Sequence, residues 1–259
     1  RVLFRSHDDK PEWDTIPTVV KEDIFFARAT VPDLCALETV YKNPLRSEYT
    51  ASEEDINDAI KRIVPNEFKD TWQQLDNPLY AFKKITKGPK IKKPKHIFFI
   101  VGESIPQWSL DETHKLLNIC PGLWDFKSQP HTVQIPNFLP AGNVSRPSIV
   151  SLMSGIYDAG LEINERESFW KGVFPTSFAH QMKRLGYQTI YWYGGNASYG
   201  NFNHFGKAQG FDRVESASIF CGPDAPKTWV GVYDHVFLEN IEQQIKSINE
   251  PTFHFIYTT

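Results

Sequence analysis

"HIFFIVGES", residues His96–Ser104, decides how the rest of the chain is read. Its first six residues are a continuous apolar, β-favouring run, which predicts a strand buried on both faces, as in a parallel sheet. The run leads straight into Gly102-Glu103-Ser104. A carboxylate just past a strand end, with glycine giving backbone clearance, suits a hard divalent cation or a phosphate-linked metal. It equally suits the cap of a following helix or loop. Further on, "FPTSFAHQMKRLG" (Phe174–Gly186) predicts a helix with Thr176 as its cap and Gly186 as its terminator. "YQTIYWY" (Tyr187–Tyr193) predicts a second buried strand, ended by Gly194–Gly195. A helix around Tyr233–Ile248 then leads to a third strand, Thr252–Tyr257. This alternation predicts an α/β fold, a mostly parallel sheet with helices on both faces.

Outward from that core the chain is plainer. Its 259 residues are enough for one good core plus a small additional subdomain. The net charge of −3 does not suggest a nucleic-acid binder, so no nucleic-acid partner is expected. No apolar run approaches the length of a membrane span. The three cysteines, Cys35, Cys120 and Cys221, stand far apart without metal-type spacing and do not form a disulfide framework. Arg1–Ser6, "RVLFRS", is the translation expected of a sequencing-adapter string and is set aside as an artefact. Residues 7–95 read as a polar, helix-leaning and linker segment. Within it Ser52 and Asp55 make a capping-box pattern ahead of Ile56, Ile60, Ile63 and Val64, and Pro65 stops the run. Seven lysines crowd the thirteen residues Lys83–Lys95, which suits a solvated connector or a segment lying near an anionic membrane surface.

Functional groups of open α/β sheets gather beyond the carboxyl ends of the strands. After Tyr193 comes "GGNASYGNFNHF" (Gly194–Phe205), where Asn196, Asn201 and Asn203 could offer neutral donors to a sugar or phosphate ester. Asparagine and glycine are also what any turn uses. The other informative stretch is "GNVSRPSIVSLMSG" (Gly142–Gly155). Pro147 fits a first helical turn, Ile149, Val150, Leu152 and Met153 supply an apolar face, and Gly155 ends it. Ser145 therefore lies at a helix N-terminus, where free N–H groups and the dipole favour an anion. It reads as an N-cap, as a nucleophile polarised by a metal, or as a neighbour of the Asn143 glycosylation sequon. A second sequon at Asn196 falls in the other candidate loop and weakens the glycan reading.

"FFIVGES", "NVSRPSIVSLMSG", "YWYGGNASYGNFNHFGKAQGFDRV" and "WVGVYDHVF", in that order, resemble the sulfatase branch of the alkaline phosphatase superfamily. Within it they are most similar to lipoteichoic acid synthase and related phosphoglycerol or phosphoethanolamine transferases. The resemblance covers about His96 to Thr259, taken as the N-terminal part of a sulfatase-like catalytic domain. Sulfatases write their nucleophile motif C-x-P-S-R-x-x-L-x-[ST]-G, and Ser145 through Gly155 falls in register with it.

The resemblance implies a metal-dependent transfer through a covalent enzyme intermediate. Glu103 then takes the position of the first metal-binding acid, and Ser145 that of a nucleophile that also ligates the metal. Two departures bear on the chemistry: Ser145 replaces the sulfatase cysteine, and Ile149 replaces the following arginine. Some sulfatases also begin from a serine, but the missing arginine weakens support for a formylglycine and favours direct attack by the serine alkoxide on phosphorus. Asn196, Asn201 and Asn203 fall at head-group-binding positions, with Asn196 where many relatives have Asp. Asp234 matches a recurring Asp expected to be structural. The implied cofactor is a divalent ion, Mn²⁺ first, with Mg²⁺, Zn²⁺ or Ca²⁺ as alternatives. The implied substrate is a phospholipid or glycan head group, met outside the cytoplasm by a protein anchored through upstream membrane helices. An Asp-His metal pair is expected beyond Thr259, so the sheet is expected to be incomplete at its C-terminal end and the chain alone inactive. The rival readings are a sulfuric ester hydrolase and a non-catalytic extracellular binding domain.

Overall fold

Four strands, β1 (His96–Val101), β2 (Gln188–Tyr193), β3 (Arg213–Ser216) and β4 (Thr252–Tyr257), form one sheet in the order β1-β4-β2-β3, every neighbouring pair parallel. The computed structural model describes residues 51–76, 78–82, 88, 91–135, 138–142, 144–158 and 160–259. Arg1–Ser6, Cys35, the Asn143 side of the sequon and most of the lysine-rich segment lie outside the described residues. The chain divides into two units, residues 1–87 and 88–259.

In the first unit, helix α1 (Glu53–Ile63) starts at the expected capping box: Ser52 Oγ accepts from Asp55 N at 3.1 Å, and Asp55 Oδ2 accepts from Ser52 N at 3.1 Å. Those bonds from Ser52 hold the Asp55 carboxyl below its ordinary range. Ile60 and Val64 are buried with Trp72 and Ala81, whereas Ile56 and Ile63 are exposed. Phe68 and Leu75, partly buried, pack against the same cluster.

In the second unit helices α2 (Pro121–Ser128), α3 (Ser145–Ser154), α4 (Phe178–Arg184), α5 (Phe202–Ala208), α6 (Ala217–Phe220) and α7 (Asp234–Ile245) complete the architecture. One face of the sheet, with Tyr191, Phe253 and Phe255, packs on Ile149, Val150 and Met153 of α3, Ala179 of α4 and Phe202 and Phe205 of α5. The opposite face, with Ile190, Trp192 and Ile256, packs on Ala217 of α6 and Phe237 and Ile241 of α7. Helices therefore cover both faces, as alternation of strand and helix requires.

Four local expectations change. Strand β1 is not buried on both faces: Phe98 and Ile100 are 49% and 59% exposed. Only β4 pairs with it, so it forms an edge of the sheet, and among the described residues no helix covers that side. Thr176 does not cap α4, which begins after Ser177. Its hydroxyl instead donates to Ser154 O at 2.5 Å, tying the end of α3 to the start of α4. Part of the glycine-rich loop after β2 is helical, as α5. Strand β3, with Arg213 and Glu215 in four residues, carries no apolar run to announce it. From the lysine-rich segment, Lys93 donates to Leu185 O at 2.7 Å and Gly186 O at 3.0 Å, satisfying carbonyls at the C-terminus of α4.

Candidate active site

The carboxyl ends of β1, β4 and β2 finish in line, with Val101 and Tyr193 both paired to Tyr257. Immediately past β1 the chain turns through Gly102-Glu103-Ser104, and Ser104 takes a left-handed φ of 57°. That turn is tied to β4: Thr258 N donates to Val101 O at 3.1 Å, and Glu103 N donates to the buried Thr258 Oγ1 at 3.0 Å. The backbone that carries the Glu103 carboxylate is therefore fixed from both sides.

Helix α3 delivers Ser145 to the same place. Buried Ile149, Val150 and Met153 seat the helix on the sheet, and Gly155 ends it with a φ of 71°, a conformation that favours glycine. Ser145 is the first helical residue, and the cap position belongs to Val144, which has no side chain to cap with. The Ser145 hydroxyl is thus not spent on an N-cap bond. It donates to Glu103 Oε1, joining two residues 42 apart in sequence.

Tyrosines surround this pair. The Tyr257 hydroxyl lies close enough to interact with Ser145 and Glu103, and burial, then the Glu103 charge, pushes its pKa up to about 12. Burial followed by the Glu103 charge also raises Tyr193. Tyr191 lies deeper, raised well above its ordinary value chiefly by burial, and its hydroxyl has no hydrogen-bond partner among the described residues. All three phenols stay protonated at neutral pH and present O–H dipoles, not charges, beside the carboxylate.

The asparagines stand beyond β2. Asn196 is exposed and its Oδ1 accepts from Ser198 N at 3.0 Å, an Asx-type turn. Asn203 Oδ1 accepts from His204 N at 2.9 Å. Asn201 adopts a left-handed φ of 54° directly after Gly200 at 63°. No side-chain hydrogen bond joins these three to Glu103 or Ser145. Asp234, read as structural, accepts from Thr259 N at 3.3 Å and so anchors the chain just past β4.

Glu103 and Ser145 together offer a carboxylate and a hydroxyl oxygen, the hard donor type that Mg²⁺ and Mn²⁺ take. Their direct contact fits two positions of a shared coordination sphere. Among the described residues no group of three or more His, Cys, Asp or Glu side chains is close enough to hold a metal.

The sulfatase family model matches residues 95–259. The chain belongs to the sulfatase family. Enzymes of that family generally use a divalent metal, in keeping with the donor chemistry at Glu103 and Ser145. One similar solved structure is a protein in the alkaline phosphatase superfamily from Vibrio parahaemolyticus, 23% identical over 43% of this chain and 28% of that one, with a TM-score of 0.36. Another is the lipoteichoic acid synthase LtaP from Listeria monocytogenes, 17% identical over 46% of this chain and 29% of that one, with a TM-score of 0.37. The chain thus spans less than a third of either. No curated protein matches it. Among the described residues of this sulfatase-family chain, no helix is long and apolar enough to cross a membrane.

Three contributors escaped the sequence. Tyr257 reads as one more apolar β4 residue, and only the register with Val101 brings its hydroxyl to Ser145. Thr258 resembles the beginning of a later, His-bearing segment of the family, and nothing in the sequence marks it as the partner of Glu103 N. Arg146, next to Ser145, forms an ion pair with Glu165 at 2.6 Å and donates to the Tyr199 hydroxyl at 3.0 Å. No spacing rule links these last two to Arg146.

Proposed function

We propose that the whole protein is a metal-dependent transferase or hydrolase of phosphate esters, working through a phosphoserine formed at Ser145. The observation that carries this reading is the bond between Ser145 Oγ and Glu103 Oε1 beyond the strand ends. It puts the family's nucleophile position beside an acid suited to a cation. Glu103 and Ser145 would hold the ion, Mn²⁺ by preference, together with donors outside the described residues. When bound, the ion supplies charge neutralisation at the phosphoryl group and lowers the pKa of the serine hydroxyl.

The chain's own residues account for the rest. Ser145 Oγ attacks phosphorus, a new P–O bond forms, and the bond to the leaving alkoxide breaks. An acceptor hydroxyl or water then attacks the phosphoserine and releases Ser145. The N-terminus of α3 gives developing negative charge a favourable dipole and the N–H groups of a first helical turn. The neutral phenols of Tyr257 and Tyr193 hydrogen-bond without adding repulsive charge. Asn196, Asn201 and Asn203 are proposed to bind the head group of a phosphoglycerol- or phosphoethanolamine-type donor, with a lipid or glycan as acceptor. That chemistry fits a domain outside the cytoplasm on a membrane-anchored protein.

A sulfatase reading has the family's name in its favour. Ile149 speaks against it, because it is fully buried where sulfatases place an arginine, so a charged side chain would have to enter the core. Intact-mass and peptide mass spectrometry of the whole protein decide between the two. A phosphodiester adduct on Ser145 after brief exposure to donor supports the transferase, and formylglycine at position 145 establishes the sulfatase. Undiminished turnover of phospholipid or phosphodiester by Ser145→Ala removes the serine mechanism altogether.

A further inference from the structure

Arg146 follows the nucleophile position directly, yet its guanidinium is turned away to other partners. Nη1 pairs with Glu165 Oε1 at 2.6 Å, and Nη2 donates to the Tyr199 hydroxyl at 3.0 Å. The guanidinium also lies over the Tyr199 ring, 5.0 Å from its centroid. Glu165 belongs to the short turn Ile163–Glu165, and its neighbour there, buried Asn164, donates Nδ2 to Gly200 O at 2.6 Å. A closed circuit results. Adjacent residues Asn164 and Glu165 grip adjacent residues Tyr199 and Gly200, once directly and once through Arg146.

The segment so gripped is unusual. Gly200 and Asn201 are consecutive left-handed residues, and a non-glycine residue there needs outside contacts to hold it. A Cβ on Gly200 would meet the Asn164 amide at 3.3 Å and Arg146 Cδ at 3.4 Å, so the two chains lie against each other. The segment's amides are held by Asn201 N donating to Ser198 O at 3.2 Å and Asn203 N donating to Ala197 O at 2.9 Å. With two of its nitrogens committed to Glu165 and Tyr199, Arg146 has less of its fork left for a phosphate. It joins the Ser145 end of α3 to the loop that carries the asparagines.

We propose that Arg146 is a positioning residue: its bridge to Glu165 and Tyr199 sets the Asn196–Asn203 loop relative to Ser145 and so governs substrate affinity, not the chemical step. The inference rests on the reading of that loop as the head-group site. The pair is about one-third exposed on either side, so its effect is modest and read best through affinity.

The test uses the whole protein with Arg146→Ala, Arg146→Lys, Glu165→Gln and Tyr199→Phe. Hydrogen exchange at the amides of Asn201 and Asn203 needs no substrate, and it is expected to speed up about tenfold in Arg146→Ala. With phosphatidylglycerol in detergent micelles and Mn²⁺, KM is expected to rise about fivefold while kcat stays within about twofold. Arg146→Lys keeps the charge but reaches one partner, and is expected to fall between. Arg146→Ala and Glu165→Gln are expected to combine less than additively, because they break one contact. Unchanged exchange at both amides overturns the proposal, whatever happens to activity. A fall in kcat at constant KM also overturns it, since Arg146 would then act on the reacting group. If the unmutated protein does not turn over phosphodiester, the proposed reaction fails, and the exchange result alone decides whether the latch exists. Tyr199→Phe removes one hydroxyl from a half-exposed ring, so it tests the same contact if Arg146→Ala fails to fold.

Discussion

Strands β1 and β4 carry two polar constellations, and they are built in opposite ways. Within the sheet, His254 Nδ1 accepts from Trp192 Nε1 at 3.2 Å, which leaves its Nε2 proton for His96 Nδ1 at 3.1 Å. Both nitrogens of His254 are thereby used, the ring is fully buried, and Phe98 stacks on it at 4.9 Å. Burial first, then the neighbouring His96 and Arg213, lower its pKa to about 4. Burial, then Lys95, also lowers His96. Beyond the strand ends, by contrast, Glu103 and Ser145 are only partly buried and open to a third party. A closed neutral network inside the sheet serves stability, and an acid–hydroxyl pair at its rim is available for chemistry.

The largest effect expected at the rim is from Ser145→Ala in the whole protein. Turnover should fall on the order of 10³-fold or more, with the covalent adduct gone and the thermal midpoint nearly unchanged. Retained activity would erase the distinction between the two constellations. Glu103→Gln keeps the shape but removes the charge, and should cost about 10²-fold in kcat/KM, a few kcal/mol of charge stabilisation. It should also raise the Mn²⁺ concentration needed for half-maximal rate. Conversely, a Glu103→Gln protein that unfolds would make the rim a structural device.

The histidine pair should instead answer to pH through stability. The unfolded His254 titrates near 6.5 and the folded one near 4, so between them the unfolded state binds more protons. Stability from this source is complete above about pH 6.5 and falls as pH drops towards 4, by roughly 2–3 kcal/mol. Urea melts at pH 7 and pH 4.5 should show the loss, and His254→Phe should flatten it. The smallest effect is expected from Tyr257→Phe. Removing one hydroxyl from the Ser145–Glu103 pair should lower kcat about fivefold, near 1 kcal/mol, and leave folding intact. No change at all would separate Tyr257 from the rim.

Much of this was legible beforehand, for a physical reason in each case. The strand Thr252–Tyr257 announces itself because a strand covered on both faces of a parallel sheet is apolar along its length, whereas His96–Val101 shows the same apolar run although one of its sides is open. Gly155 and the Ser52–Asp55 box are local rules, satisfied within a few residues. Strand β3 was not legible because four residues containing Arg213 and Glu215 at a sheet edge show no period. Thr176 looked like a cap, and its hydroxyl found a carbonyl 22 residues away instead.

The site divides the same way. The places of Glu103 and Ser145, past a strand and at the start of a helix, could be read from neighbouring residues. Those alone left each open to a capping role, and the parts of metal-binding acid and nucleophile came from the resemblance to the sulfatase branch. Tyr257, Thr258 and the Arg146–Glu165–Tyr199 bridge could not be read, since what makes them part of the site is who stands opposite. Thus the sequence by itself determined the alternating α/β order, the main strands, and that Glu103 follows a strand while Ser145 opens a helix. Only the tertiary structure decided that β4 lies between β1 and β2, that Ser145 gives its hydroxyl to Glu103 and not to a helix cap, and that Arg146 grips the asparagine loop. Periodicity records burial and turn chemistry along the chain, whereas strand order and cross-chain hydrogen bonds arise only when distant segments pack.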